Sequence, residues 1–152
     1  MADFSSIFKA YDVRGRNEPG GLTEEAARAI GAGFAEFVQA PTVAVGRDCR
    51  LSSPGLAAAF IDGATSRGVD VLDLGEVATD IVYYVSGARQ VPWAMITASH
   101  NPPEYNGIKM CRQGAAPIGA ESGLVEIRRR AESSLPAADR RGIVTAFDPI
   151  PG

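Results

Sequence analysis

The sequence predicts an α/β fold, a three-layer α/β/α arrangement around a mixed, mostly parallel sheet of about four strands. Short β-branched or apolar runs alternate along the chain with segments of helical periodicity, joined by short links. The run at residues 93–97 is almost wholly apolar, which is typical of a central strand covered on both faces. With 152 residues and 45% hydrophobic content, the chain has the size of one domain with its own core.

Four helices are predicted from the spacing of apolar residues. The first covers residues 23–38 with Thr23 as N-cap, and the second begins with Ser53 as N-cap and Pro54 as its first residue. The third is capped by residues 79–80, and the fourth lies around residues 122–133. The face predicted to be buried in the third helix comprises Ile81, Tyr84, Val85 and Ala88.

The predicted strands lie at residues 42–45, 69–74, 93–97 and 107–110, with a short strand at 143–145. In sheets of this kind, ligands bind beyond the carboxyl ends of the parallel strands. The segment that follows Thr97 lies at such an end. We therefore expect the functional site there.

Composition argues against several classes of protein. The net charge of -3 argues against a nucleic-acid binder, which needs a cationic excess. No apolar run reaches the roughly 20 residues that span a bilayer, and the N-terminus lacks the features of a signal peptide, so we expect a cytoplasmic protein without membrane contact. Cys49 and Cys111 fit neither a metal-ligand spacing nor a disulfide framework, and we expect free thiols.

The loop at residues 97–107 holds the most reactive group of side chains. Turn signals at Asn101-Pro102-Pro103 and at residues 106–107 predict a stiff backbone that presents Ser99 near a strand end. A Ser-His hydrolase is disfavoured, because the only histidine, His100, is the direct neighbour of the serine. The alternative is an ordinary strand connection in which both side chains satisfy nearby backbone groups.

Cationic residues lie beside the predicted strand ends. The chain has only two lysines, Lys9 and Lys109, and both flank unusual segments. Arg14 near the N-terminus also belongs to this set, and such cations suit a phosphate group. The alternative is that Asp12 pairs with an arginine as part of the structure.

Two further arginines, Arg47 and Arg50, follow the strand at residues 42–45. They too could contact a phosphate. For Arg47 and Asp48 we favour the other interpretation, a structural ion pair between neighbouring residues.

Residues 8–15, 45–53 and 97–109 resemble, in order and spacing, the first domain of the α-D-phosphohexomutases. The Tyr-Asp-Val-Arg-Gly and Pro-Glu-Tyr-Asn-Gly segments resemble its phosphomannomutase/phosphoglucomutase branch. The resemblance implies a phosphoserine domain at residues 1–147. Residues 148–152 would then begin a linker to a second domain that this chain lacks.

The resemblance also implies roles for individual residues. Ser99 would carry a phosphoryl group between hexose 1-phosphate and hexose 6-phosphate, through a bisphosphate intermediate. His100 and Lys109 would act beside it in charge stabilisation or proton transfer, and which group is the general base stays open. The remaining residues of the implied site are Arg14, as a catalytic residue, and Tyr11 and Asn101, which shape it.

The implied cofactor is Mg²⁺, held by the Ser99 phosphate together with ligands from a second domain. The implied activator is glucose 1,6-bisphosphate. The implied partners are a hexose phosphate and the remaining mutase domains. We therefore expect the isolated chain to be catalytically incomplete. The alternative is a stand-alone binding or interaction module that keeps the fold without turnover.

Overall fold

A computed structural model describes residues 4, 6–9, 12–97, 104–112, 116–119, 123–133 and 140–146. Strands and helices alternate through most of these residues, as the sequence predicts. In chain order the elements are β1 (Val13–Arg16), α1 (Glu24–Val38), β2 (Thr42–Arg47), α2 (Ser53–Ser66), β3 (Asp70–Glu76), α3 (Thr79–Arg89), β4 (Trp93–Ile96), β5 (Tyr105–Arg112), β6 (Ala116–Pro117), α4 (Leu124–Glu132) and β7 (Val144–Ala146).

The described strands form one mixed sheet in the order β1-β5-β4-β2-β3-β7, with β6 paired to β5. Strands β4, β2, β3 and β7 form a parallel block, while β5 runs antiparallel to β4, β1 and β6. The α/β class and the mixed sheet are confirmed. The sheet has seven described strands instead of about four, because β1 and β6 are short edge strands whose sequences lack an apolar run.

Helices cover both faces of the sheet. The larger core cluster combines α1, α2 and α4 with one face of the strands, and Phe34 and Phe60 lie at its centre. A smaller cluster joins α3 to the opposite face around Trp93. The predicted three-layer arrangement is therefore confirmed. No helix in the described part of the chain has both the length and the apolar character needed to cross a membrane.

Helix boundaries follow the predicted caps only in part. The side chain of Thr23 accepts a hydrogen bond from the backbone N–H of Ala26 at 3.1 Å, so the N-cap of α1 is confirmed. In α2 the N-cap is Ser52, not Ser53. The prediction was wrong by one residue because the Ser53 hydroxyl bonds to Asp48 instead of capping the helix.

The buried face of α3 also differs from the prediction. Ala78 is the N-cap, so residues 79–80 lie inside the helix. Among the side chains of α3 that the structure describes, those of Val82, Val85 and Ser86 are buried, whereas Tyr84 is 65% exposed. The helix is rotated relative to the prediction because the polar Ser86 is buried, where its hydroxyl donates to the carbonyl of residue 91 at 2.7 Å.

Two glycines let α1 and α2 approach until their backbones touch. A Cβ atom on Gly31 would overlap the carbonyl oxygen of Phe60, and one on Gly63 would overlap that of Arg28. The obstructing atoms belong to helix backbones, which cannot move aside as a flexible side chain can. The contact between these helices therefore requires glycine at both positions.

We expect Gly31→Ala to destabilise the fold by about 1–3 kcal/mol, because the methyl group overpacks the α1–α2 contact. Gly87→Ala is the matched control, since no atom lies within 4 Å of a Cβ at that position of α3. There the same change should stabilise by about 0.5–1 kcal/mol. Urea unfolding of both variants measures the two effects, and a loss of equal size in both would contradict this account.

Candidate functional site at the carboxyl edge of the sheet

The segment that carries Ser99 starts and ends at the carboxyl edge of the parallel strands. Strand β4 ends at Ile96, and the backbone N–H of Thr97 donates to the carbonyl of Gly107 at 2.9 Å. Strand β5 returns from the same edge, beginning at Tyr105. The chain therefore leaves and re-enters the sheet at adjacent positions, at the edge where the sequence predicts the site.

Four predicted site residues lie outside the described residues, namely Ser99, His100, Asn101 and Tyr11. The structure does describe Lys109 and Arg14. One expectation about this loop was wrong: residues 106–107 do not form a turn but pair with β1 as part of β5. The loop is therefore shorter than the sequence predicts, because the strand pairing begins already at Tyr105.

Lys109 and Arg14 lie on the same face of the sheet. Side chains alternate along β5, and Ile108 and Met110 belong to the larger core cluster, so Gly107 and Lys109 face the α3 side. Arg14 is directly opposite Gly107 on β1 and therefore shares that face. The structure thus brings two of the predicted catalytic residues together on neighbouring strands, beside the loop that carries Ser99.

Gly107 lets three strands meet closely between these two cations. A Cβ atom there would lie 2.6 Å from the carbonyl oxygen of Val13 and 2.9 Å from that of Thr97. Both distances are far shorter than a non-bonded contact allows. A side chain at residue 107 would therefore force these backbones apart.

Arg14 is an ion-paired residue with spare hydrogen-bonding capacity. Its Nη2 atom lies 2.6 Å from the Asp12 carboxylate, which confirms the structural pairing considered for Asp12. Its Nε atom is buried and has no hydrogen-bond partner among the described residues. Since a guanidinium carries five N–H donors, Arg14 could hold an anion while keeping its pairing with Asp12.

The pairing expected between Arg47 and Asp48 does not form. Asp48 lies 3.4 Å from Arg50 instead, and its carboxylate also accepts the backbone N–H of Arg50 at 3.1 Å. The reason is local geometry: Asp48 follows the end of β2, and its side chain turns towards the start of α2, as aspartate does in turns. The Arg47 Nε atom is buried without a partner in the described part of the chain.

Sequence reasoning missed a buried polar contact between the start of β5 and the start of α2. The Asn106 side-chain amide donates to Ser52 Oγ at 2.8 Å and to Ser53 Oγ at 2.9 Å. Ser53 Oγ in turn donates to Asp48 Oδ1 at 2.5 Å. The sequence offers one sign of this contact, the asparagine at residue 106 beside apolar strand residues, but Asn-Gly at residues 106–107 predicts a turn. The partners of Asn106 lie more than 50 residues away in the chain, so no local pattern identifies them.

The two cysteines differ sharply in environment. Both are free: Cys49 is exposed beyond β2, and Cys111 is buried in the smaller core cluster. Burial raises the pKa of Cys111 to about 11, because the low-dielectric surroundings disfavour the thiolate, although the charge of Lys109 acts in the opposite direction.

We therefore expect iodoacetamide at about pH 8 to alkylate Cys49 and to spare Cys111 in the folded chain, since the thiolate is the reactive form. Intact mass followed by peptide mapping distinguishes one added group from two. Denaturation before labelling should make both thiols react. Equal labelling of both in the native chain would contradict the buried position of Cys111.

The described residues do not by themselves fit a metal site. Nowhere in the described part of the chain do three or more His, Cys, Asp or Glu side chains come together in a way that could hold an ion. Two carboxylates near this edge of the sheet, those of Asp12 and Asp48, are paired with Arg14 and Arg50. We therefore derive no step through a metal from this part of the chain.

Comparison with known proteins identifies the family. Residues 5–136 match the phosphoglucomutase/phosphomannomutase alpha/beta/alpha domain I. A phosphomannomutase of Salmonella typhimurium is 42% identical over 129 residues, which cover 84% of this chain and 28% of that protein. A phosphomannomutase of Klebsiella pneumoniae is 42% identical over 141 residues, covering 90% of this chain and 89% of that protein.

A solved structure agrees with these sequence matches. A phosphoglucomutase/phosphomannomutase family protein of Burkholderia thailandensis superimposes with a TM-score of 0.85 at 34% identity, and the match covers 97% of this chain and 34% of that one. This chain therefore spans about a third of that protein's length. The mixed sheet, its helical layers and the matched sequence agree, and the chain belongs to the phosphoglucomutase/phosphomannomutase family, whose domain I it carries.

Proposed function

We propose that this chain is the phosphoserine-bearing domain I of a phosphomannomutase/phosphoglucomutase, with Ser99 as the phosphoryl carrier. The observation that supports the proposal best is the shared face of Lys109 and Arg14 at the edge of the sheet, beside both ends of the segment that holds Ser99. Two cations on the strands that flank a segment with a reactive serine would suit a phosphoryl group more than they would suit acyl chemistry.

In the proposed reaction, a free hydroxyl oxygen of a hexose phosphate attacks the phosphorus of phosphorylated Ser99. An O–P bond to the sugar forms while the P–Oγ bond breaks, which yields a hexose bisphosphate. The sugar hydroxyl loses its proton to a base, and the serine oxygen takes up a proton. Reversal of these steps at the other phosphate of the bisphosphate restores phosphoserine and completes the interconversion of hexose 1-phosphate and hexose 6-phosphate.

The described cations contribute to this reaction by electrostatic stabilisation. Charge develops on the transferring phosphoryl oxygens, and fixed cations at that position lower the barrier. The side chain of Lys109 is half-buried, and that of Arg14 is 36% exposed, so both could contact an anion at this edge. His100 and Lys109 are both candidates for proton transfer, and Tyr11 and Asn101 would shape the substrate pocket.

In this proposal, metal binding and most of the substrate site belong to further domains that the longer relatives contain. The chain spans 28% of the Salmonella protein, so we expect further domains to complete the substrate site. Mg²⁺ would bind the Ser99 phosphate with ligands from those domains, and it would supply charge neutralisation when bound. Glucose 1,6-bisphosphate would load the serine. The full protein would act in the cytoplasm on hexose phosphates, without nucleic-acid or membrane partners.

A second candidate function is a stand-alone binding or interaction module. One observation favours it: this chain covers 89% of the Klebsiella relative, so a matched protein of comparable length exists. A pure module would keep the fold but would have no need for a serine that accepts a phosphoryl group. Phosphorylation of Ser99 therefore distinguishes the two candidates.

Incubation with glucose 1,6-bisphosphate and Mg²⁺ should add one phosphoryl group, about 80 Da, that peptide mapping places on Ser99. Intact-mass measurement detects it. Ser99→Ala should abolish the addition, whereas Ser133→Ala, a change at an exposed serine after α4, should leave it intact. A chain that stays unmodified even when joined to the domains of its longer relatives would contradict the mutase proposal and favour the module.

Removal of the Lys109 charge should slow loading of Ser99 by about 100-fold or more, because a fixed charge is lost at the transferring group. Lys109→Met tests this, with the loading rate followed by mass spectrometry. The control is Arg129→Met, which removes a cation from the exposed face of α4, where it pairs with Glu126. Similar rates of Ser99 phosphorylation in the two variants would contradict the proposed role of Lys109.

A further inference from the structure

One pair of buried polar side chains joins distant parts of the chain. Among the described residues, the buried polar side chains are those of Ser53, Thr65, Ser86 and Asn106. Thr65 and Ser86 donate to carbonyl groups no more than five residues away. Ser53 and Asn106 instead bond to each other across 53 residues. Because a buried polar group costs free energy unless it is bonded, this pair is a specific, directional link.

The link attaches one loop to both ends of the Ser99 segment. The β2–α2 loop, residues 48–52, donates through the Asp48 backbone N–H to the carbonyl of Ile96, at the end of β4, at 3.0 Å. Its Arg50 guanidinium donates to the carbonyl of Tyr105, at the start of β5, at 3.2 Å. Ser53 then connects Asp48 to Asn106. A third element therefore supports both ends of the segment, in addition to the direct pairing of β4 with β5.

Asn106 uses its whole side chain in this arrangement. Both amide hydrogens have serine acceptors, and its Oδ1 atom accepts the backbone N–H of Gly107 at 2.8 Å. Such saturation specifies one side-chain orientation and thus one register of β5. Since a shift of one residue would turn every side chain of a strand to the other face, the same contacts keep Lys109 on the face of Arg14.

We propose that Asn106 is a positioning residue: through Ser52 and Ser53, it holds the start of β5, where the chain returns from the segment with Ser99, and keeps Lys109 on the face of Arg14. A role of Asn106 in catalysis rests on the proposed function. Its effect on the position of β5 does not, because that effect can be measured without any phosphoryl transfer. An apolar side chain of similar size could fill the space at residue 106, but it could not specify an orientation.

The test compares two buried serines that undergo the same substitution. Ser53→Ala removes the bond between Ser53 and Asn106, whereas Ser86→Ala removes a buried hydroxyl that donates locally, to the carbonyl of residue 91. Amide hydrogen exchange should become about tenfold faster at residues 104–109 in Ser53→Ala only. The native-state amide shifts of Ser99 and Lys109 should also move in that variant alone, which a general loss of stability would not produce.

A polarity swap provides a rescue experiment. In Asp48→Asn combined with Asn106→Asp, the new amide at residue 48 could donate to Ser53 Oγ, whose hydroxyl could then donate to the carboxylate at residue 106. The double variant should resemble the wild type in the Ser99 and Lys109 shifts more than either single variant does. If Ser53→Ala fails to fold, Ser52→Ala removes one acceptor from Asn106 and serves in the same comparison.

Three results would overturn the proposal: unchanged shifts in Ser53→Ala, equal exchange effects in both serine variants, or no rescue by the swap. Failure of the proposed function has a separate signature, which is the absence of phosphate on Ser99 in the unsubstituted protein. The two failures can therefore be distinguished, because one concerns chemistry on the serine and the other concerns the geometry of β5.

Discussion

The reversal of chain direction between β4 and β5 is the constraint on which the rest of this site depends. In a purely parallel sheet, the chain would leave the carboxyl edge through a crossover helix and return from the opposite end. Here β5 pairs antiparallel to β4, so the chain re-enters at the same edge within a few residues. One short segment is thus held at both ends, and Lys109 follows it directly on the returning strand. Pairing of β1 with β5 then adds Arg14 to the same face.

Sequence reasoning succeeded where the determining contacts are local. Thr23 and the apolar spacing after it predict α1, because capping and helical periodicity act within a few residues. It failed where a distant partner decides. Ser53 has the sequence features of a cap, yet its hydroxyl bonds to Asp48 and Asn106. The exposed position of Tyr84 has a related cause, since the tertiary environment of Ser86 sets the rotation of α3. Strand β1 could not be recognised from an apolar pattern, because an edge strand can carry charged residues.

The cations of this acidic chain divide into two groups by their partners. Arg28 and Arg129 pair with carboxylates on the same or a neighbouring helix, and such exposed pairs contribute little to stability. Lys109 has no ion-pair partner among the described residues, although it lies half-buried beside the predicted site. A half-buried cation without a counter-ion is unfavourable for the empty domain, and it becomes favourable when an anion arrives. Arg47 shares this feature, since it is half-buried and its Nε atom has no hydrogen-bond partner in the described part of the chain.

Charge balance explains why a domain of this kind would need further parts for turnover. A phosphoserine carries about -1.5 to -2 charges near neutral pH. Among the described cations beside the segment, Lys109 offers its full charge, whereas the charges of Arg14 and Arg50 are largely balanced by Asp12 at 2.6 Å and by Asp48 at 3.4 Å. About one negative charge therefore stays uncompensated by the described residues, and an incoming hexose phosphate would add more. Because like charges repel strongly at the short distances of phosphoryl transfer, the proposed function requires more positive charge, from residues such as His100 or Arg47 or from groups outside this chain.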